Sequence, residues 1–242
     1  MIGKAIYLFI SFLSLSLLYA APQEVLVVGT NAEFPPFCYI ENKTVVGFDI
    51  DVAQEVGKRL GKTVEFKDMP FDALIPALVL GHIDFVAAGM SYTEERAKRV
   101  LFTKSYLSED PLVIFSASPQ NTSLESLKGK SVIVIEGFTA DLFMSDQGDI
   151  DLIRLNTQAD GFMAIKSGRA DALVTAKSTV DAFSSVQDTS SFFISPLEGT
   201  GETCALVIPK NQPDRRIRIQ QALDDMERDG TMAQLKAKWK LQ

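Results

Sequence analysis

The stretch Leu80-Gly81-His82-Ile83-Asp84-Phe85-Val86 has a counterpart later in the chain, Ser167-Gly168-Arg169-Ala170-Asp171-Ala172-Leu173. In both stretches a predicted helix ends at glycine, a short turn carries an aspartate, and a buried strand follows. Glycine suits the position after a helix because the backbone there is often left-handed. The two copies stand at the same step of two successive halves, so they predict two lobes of the same architecture.

Patterns typical of strands and of helices alternate before and after each of the two repeated stretches. Short apolar runs predict buried strands, and apolar residues three or four apart predict the helices between them. The predicted strands are residues 25–29, 64–66, 85–88, 112–115, 132–135, 153–155, 172–174 and 204–208. The predicted helical faces carry Val52, Val56 and Leu60, then Leu74, Leu78 and Val79, and two further helices cover residues 213–228 and 232–239.

This order predicts an α/β fold of two lobes, each a mostly parallel sheet covered by helices, with a ligand cleft between them. We place lobe 1 at residues 22–108 plus 200–242, and lobe 2 at residues 109–199. No linker rich in proline, glycine or serine separates the lobes, so we expect them to be joined by short crossings.

Residues 1–21 have the composition of a secretory signal peptide. Lys4 precedes an uncharged, mostly apolar run over residues 5–18, and small residues follow at Ala20 and Ala21. The run is shorter than the roughly 20 residues that a spanning helix needs. We therefore expect export to the periplasm, with an N-terminal membrane anchor as the alternative.

Composition argues against several classes of protein. The net charge is -7 and no run of lysine and arginine stands out, so no nucleic-acid partner is expected. Cys38 and Cys204 lie beside neither another cysteine nor the single histidine, His82, so we expect no metal site and no cofactor. Two buried free thiols are expected, with a disulfide as the alternative. No nucleophile elbow or phosphate loop is present, and catalytic residues are not predicted.

The most informative stretch for binding is residues 87–96. A predicted strand ends at Gly89, and Thr93 can cap the helix that carries Arg96. Ligands bind at the carboxyl ends of parallel strands in open α/β sheets. A guanidinium grips a carboxylate with two parallel hydrogen bonds, so Arg96 suits a carboxylate ligand. The alternative is that Arg96 pairs with Glu94 or Glu95 on a solvated helix face.

The loop after the first strand, residues 29–37, supplies further candidates. Its prolines prevent a helix from following the strand directly. Phe34 in this loop and Phe71 before the next helix can form apolar walls, or both can be ordinary core aromatics. Glu33 can meet a cationic ligand head, or can simply be exposed. In the second half, Thr139 can cap a helix whose first N–H groups attract anions.

Together these motifs resemble the periplasmic amino-acid-binding proteins of ATP-driven importers, which have the type II periplasmic-binding fold. Within that family the sequence most resembles the arginine-binding members. The similarity covers essentially the whole chain after the leader. The stretches that carry it are residues 47–51, 71–78, 81–84, 91–96, 124–130 and 229–231. Any one of these would be weak evidence alone, whereas the set is specific.

The resemblance implies how the two charged ends of an amino acid would be held. Arg96 would hold the α-carboxylate, helped by the Gly89 N–H group and by Thr139. Ser91 and the Ala88 carbonyl would receive the α-amino group.

The resemblance also implies that Phe34 and Phe71 would sandwich the ligand side chain. A guanidinium between them would gain cation–π attraction of about 1–2 kcal/mol. The full implied ligand-binding set is Asn31, Glu33, Phe34, Phe71, Ala88, Gly89, Ser91, Arg96 and Thr139.

The chain departs from the family pattern at two positions. Binders of lysine, arginine and ornithine carry an aspartate in the first loop where this chain has Asn31, and Glu33 can replace that charge. The aspartate that usually completes the amine site falls at Ala176, beside Lys177. The candidates to replace it are Glu136, Asp181 and Glu202.

The resemblance implies an extracytoplasmic solute-binding protein whose lobes close on a free L-amino acid and which delivers it to the membrane permease of an ABC importer. Arginine or another basic amino acid is the expected ligand, and glutamine is the alternative. We expect a monomer that is not an enzyme. The competing functions are a periplasmic cyclohexadienyl or arogenate dehydratase on the same fold, and a surface protein that contacts a host or partner.

Overall fold

The computed structural model describes residues 24–107 and 110–241. The proposed signal peptide, residues 1–21, lies outside the described residues. Within them, no helix combines the length and apolar character needed to cross a membrane. The architecture is α/β with two lobes, which confirms the predicted fold class.

The predicted helices and strands occur in the predicted order, and the structure adds short strands, which were not predicted, at residues 33–34, 38–41, 44–46, 100–102 and 193–196. The elements before the first crossing are β1 (Val25–Thr30), β2 (Glu33–Phe34), β3 (Cys38–Glu41), β4 (Thr44–Val46), α1 (Phe48–Arg59), β5 (Thr63–Asp68), α2 (Phe71–Val79), β6 (Phe85–Val86), α3 (Glu94–Ala97) and β7 (Val100–Phe102). The second lobe contains β8 (Leu112–Ser116), β9 (Ser131–Ile135), α4 (Thr139–Ser145), β10 (Asp151–Leu155), α5 (Gln158–Lys166), β11 (Ala172–Ala176), α6 (Lys177–Ser184) and β12 (Phe193–Pro196). The chain returns through β13 (Val207–Pro209), α7 (Pro213–Arg228) and α8 (Thr231–Lys238).

Each lobe is organised around a five-stranded mixed sheet. The first has the order β5-β1-β6-β13-β7 and the second the order β10-β9-β11-β8-β12. Three neighbouring strands are parallel in each sheet, and the fourth strand, β13 in the first sheet and β8 in the second, is antiparallel to both of its neighbours. The small antiparallel sheet β2-β3-β4 occupies the place where the prolines prevent a helix.

The repeated stretch has the same hydrogen bonds in both lobes. Gly81 and Gly168 have φ of 75° and 68°, the left-handed geometry expected after a helix. The Asp84 carboxylate accepts from the Val27 N–H group at 2.8 Å, and the Asp84 N–H group donates to the Val27 carbonyl at 2.7 Å. Asp171 makes the same pair of bonds with Ser131, both at 2.9 Å. Each aspartate therefore ties the turn to the central parallel strand of its own sheet.

The cores follow from strand alternation. In the second lobe, Leu112 and Ile114 face one apolar cluster, while Val113 and Phe115 face another on the opposite side of the sheet. The first lobe has one large core, which also includes Phe138 from the second lobe. This ring is a direct apolar contact between the lobes.

Several local predictions need correction. Val79 was expected on a buried helical face but is 52% exposed, and β5 is half-exposed because it is the edge strand of its sheet. The predicted strand at 85–88 ends at Val86, and the predicted strand at 204–208 begins at Val207. Before Val207 the backbone forms hydrogen bonds to a loop instead of to a strand. The Ala205 N–H group, for example, donates to the Met90 carbonyl at 3.2 Å.

The two cysteines and the single histidine are in the environments that the sequence predicts. Cys38 and Cys204 are both free and buried, which confirms two buried thiols rather than a disulfide. His82 is exposed in its turn.

The crossings between the lobes are tied to each other. Asp110, just before β8, and Glu202, just before β13, form an antiparallel bridge with N–H to carbonyl distances of 2.8 Å and 2.7 Å. The lobe boundaries at 108/109 and 199/200 remain a prediction, and this bridge lies close to both.

Replacing Asp171 by alanine should lower the free energy of unfolding by about 1–2 kcal/mol, because the Ser131 N–H group loses its acceptor at the foot of β9. Urea unfolding with an unchanged m-value measures this. Asp146→Ala, which removes an exposed aspartate, is the control. Equal midpoints for the two variants would contradict the role given to Asp171.

Candidate functional site

Arg96 lies between the lobes. It is 6% exposed and follows the Thr93 cap, whose hydroxyl accepts from the Arg96 N–H group at 3.2 Å. Nη1 donates to the Ser91 carbonyl of the first lobe and Nη2 to the Gly137 carbonyl of the second, both at 2.8 Å. Among the described residues no salt bridge joins Arg96 to its neighbouring glutamates, which argues against the solvated-pair alternative.

The surroundings of Arg96 compensate its burial. Burial lowers the pKa of the guanidinium, and the nearby charge of Glu202 acts in the opposite direction. The guanidinium carbon also stands 5.3 Å from the centroid of the Phe71 ring. Since Nη1 and Nη2 each carry a second N–H group, the side chain keeps donors for a carboxylate after bonding both carbonyls.

The predicted role of the Gly89 N–H group as a ligand donor needs correction. It donates to the Asp49 carboxylate at 2.5 Å, so the backbone donor assigned to the ligand is bonded within the protein. Gly89 has φ of 60°, and an added Cβ would stand 2.5 Å from the Phe34 ring. Burial raises the pKa of Asp49 to about 6, and the Gly89 hydrogen bond opposes that shift. Asp49 therefore holds the turn that carries the candidate site.

Three aromatic rings meet at the cleft, one more than the sequence predicted. Phe34 and Phe71 are buried, as is Phe138 from the second lobe. The Phe138 centroid lies 5.5 Å from that of Phe34 in an edge-on arrangement, and 4.5 Å from that of Phe71. The sequence does not distinguish Phe138, because the strand–glycine step around it indicates only a helix start near Thr139.

Thr139 also differs from its prediction. It is the first residue of α4, and the cap position is Phe138, which makes no side-chain capping bond. The Thr139 side chain is half-buried and lies beside Glu202, whose carboxyl pKa it helps to lower. The second-lobe helix start thus contributes a hydroxyl beside Glu202 without the predicted cap.

Asn31, Ser91 and Ala88 are all buried in the first lobe. The Asn31 Nδ2 donates to the Met69 carbonyl at 3.2 Å, whereas its Oδ1 has no hydrogen-bond partner among the described residues. The Ser91 hydroxyl accepts from the Thr203 N–H group at 3.0 Å, which links the site to the returning crossing. The Ser91 oxygen has a second lone pair for another donor.

The three candidates to replace the missing aspartate at Ala176 lie in different environments. Glu136 is exposed, and Asp181 pairs with Lys177 at 2.5 Å on the surface. Glu202 is 6% exposed and lies near Arg96. Burial, then the charge of Asp110, raises the pKa of Glu202 to about 7, while Thr139 and Arg96 lower it.

Glu33 is exposed in β2, and acidic residues of both lobes lie near it. Its pKa is raised by partial burial and by the charges of Asp68, at the end of β5, and Asp160, in the first turn of α5. Carboxylates from both lobes are therefore close enough to repel one another. Among the described residues, no salt bridge involves any of these three side chains, and no group of three or more potential metal ligands occurs.

A two-lobed α/β fold with a buried guanidinium between the lobes defines an amino-acid-type solute-binding protein. The chain belongs to the bacterial extracellular solute-binding proteins, family 3, whose profile matches residues 26–242. It is 30% identical over 217 residues to the arginine-binding extracellular protein ArtP of Bacillus subtilis, covering 88% of this chain and 85% of that one.

The chain is also similar to solved structures of arginine-binding proteins. An ancestral arginine-binding protein bound to arginine is 37% identical with a TM-score of 0.83, over 90% of this chain and 98% of that one. An ancestral arginine-binding protein bound to glutamine is 36% identical with the same TM-score and coverage.

Proposed function

We propose that this chain captures a free cationic L-amino acid, with arginine the best candidate, and delivers it to the permease of an ABC importer. The observation that carries the proposal is the Arg96 guanidinium, which is buried between the lobes and bonded to a carbonyl of each. A ligand carboxylate that accepts its remaining N–H groups would be held against both lobes at once. The ArtP relative, named as arginine-binding, supports the ligand class.

Arg96→Ala should weaken binding of arginine by on the order of 2–5 kcal/mol, because the ligand carboxylate would be buried without its charged partner. Isothermal titration calorimetry measures the loss. Arg99→Ala, which removes an exposed arginine three residues away, should leave the affinity unchanged. An affinity for Arg96→Ala within about twofold of the parent protein would reject the assignment.

We further propose that Glu202 receives the ligand's α-ammonium group in place of the aspartate absent at Ala176. Glu202 is buried beside Arg96 and Thr139, where the two charged ends of a zwitterion would lie close together. Its backbone is fixed by the bridge to Asp110. A carboxylate in this position completes the charge balance of a bound zwitterion.

Binding should therefore release protons near neutral pH. The free carboxyl has a pKa of about 7, and a neighbouring ammonium lowers it, so about half a proton should leave at pH 7 and almost none at pH 8.5. Calorimetry in buffers of different ionisation enthalpy measures this release. Glu202→Gln should abolish it and weaken binding. Equal proton release on binding to the parent protein and to Glu202→Gln would rule out this role for Glu202.

The ligand side chain is proposed to point toward the acidic mouth formed by Glu33, Asp68 and Asp160. These carboxylates come from both lobes, so a cationic group between them would relieve their mutual repulsion as the lobes close. This favours a basic side chain over the neutral amide of glutamine. Glutamine remains the competing ligand because one ancestral structure holds it.

Glu33→Gln should weaken arginine binding by roughly twofold to fivefold at low salt, the range of an exposed ion pair. Glutamine binding should stay the same because its amide carries no charge. Affinities for both ligands at two salt concentrations measure the difference. Glu95→Gln, on an exposed face, is the control. Equal weakening for both ligands would rule out a guanidinium contact.

We also propose that residues 1–21 direct export to the periplasm and that the protein acts there as a monomeric binder without catalysis. The family's description as extracellular and the relatives' names as binding proteins support export and a binding role. Mass spectrometry of the protein from a periplasmic extract would identify the mature N-terminus.

A further inference from the structure

The ring of Phe138 crosses from the second lobe into the space bounded by Phe34 and Phe71. It is 5% exposed and packs with the apolar core of the first lobe rather than with either core of its own. Its contacts with the two first-lobe rings have centroid distances of 5.5 Å and 4.5 Å. Those two rings are the walls that the family resemblance assigns to the ligand side chain.

The turn that carries this ring includes Gly137, whose carbonyl also bonds Arg96. Gly137 has φ of 76°, and its carbonyl accepts from Arg96 Nη2. The Gly137 N–H group donates to the Asp141 carboxylate at 3.0 Å, and the Phe138 N–H group donates to the Ile135 carbonyl at 3.1 Å. The turn that directs the ring is therefore fixed to the anion-binding guanidinium.

The Phe138 ring makes the same kind of apolar contact with Phe34 and Phe71 that a ligand side chain between them would make. Aromatic pairs prefer edge-on or offset arrangements over face-to-face stacking, and the two contacts of Phe138 are edge-on and tilted. A long ligand side chain entering between Phe34 and Phe71 must take that space from the Phe138 ring. The carboxylate and ammonium ends of the ligand do not need it.

We infer that Phe138 is a specificity-determining residue whose ring competes with the ligand side chain for the space between Phe34 and Phe71. The inference rests on the proposed function. Displacement of the ring exposes a buried aromatic side chain, so long side chains bind more weakly than the walls alone would allow. Amino acids with small side chains leave the ring where it is and bear no such penalty.

Phe138→Ala should raise the affinity for arginine by on the order of tenfold to a hundredfold, which corresponds to the cost of exposing a phenylalanine ring. The affinity for alanine should change by less than about threefold. Calorimetry on the mature protein with both ligands measures the two changes. Phe143→Ala, in the helix that Phe138 precedes but packed on the second-lobe core, should change neither affinity.

The outcomes separate this inference from the function on which it rests. A fall in arginine affinity would make Phe138 a ligand contact and overturn the inference, as would an equal gain for arginine and alanine. Either result leaves the protein an amino-acid binder. Absence of binding by the parent protein and by Phe138→Ala to any amino acid would overturn both proposals.

A second readout does not depend on a folded alanine variant. With 4-fluorophenylalanine placed at position 138, the ¹⁹F resonance should shift on saturation with arginine and stay nearly constant on saturation with alanine. An unchanged resonance while arginine binds would show that the ring keeps its place, and would overturn the inference.

Discussion

The site depends on how a buried guanidinium is compensated. A cation removed from water is costly unless hydrogen bonds and opposite charge replace the lost hydration. Arg96 meets that requirement with carbonyls from both lobes, the face of Phe71 and the nearby carboxyl of Glu202. Because the two carbonyls belong to different lobes, the same side chain that would attract a carboxylate also holds the lobes together.

Both lobes present site residues in left-handed turns after a parallel strand, at different steps of the shared scaffold, because the repeated stretch matches β6 to β11 and β1 to β9. Gly89 follows β6 in the first lobe and Gly137 follows β9 in the second, each in a left-handed turn. The aspartates of the repeated stretch, Asp84 and Asp171, anchor the sheets below these turns. A small molecule between the lobes therefore meets rigid turns at the ends of strands on both sides, as is general for open α/β sheets.

Local signals in the sequence were sufficient for the scaffold. The glycines after α2 and α5, the Thr93 cap and the apolar periodicity each act within a few residues, so one sequence reveals them. The two-lobed α/β class followed from these, whereas the antiparallel pairing of β13 and β8 and the small sheet β2-β3-β4 did not. The burial of Arg96 between the lobes also agrees with its expected place.

Long-range packing decided what the sequence did not reveal. Asp49 takes the Gly89 N–H group across 40 residues, and Phe138 reaches rings in the other lobe. Nothing in the residues around Phe138 indicates which way its ring points. The choice among Glu136, Asp181 and Glu202 likewise depended on burial, which comes from the fold as a whole.

The bridge between Asp110 and Glu202 has a mechanical consequence. Two separate strands can slide past each other and twist independently, whereas two strands joined by a pair of N–H to carbonyl bonds behave as one short ribbon. Sliding would break both bonds, but bending across the ribbon would preserve them. The bridge therefore opposes sliding of one crossing past the other while leaving bending open, and Glu202 is one of its two residues.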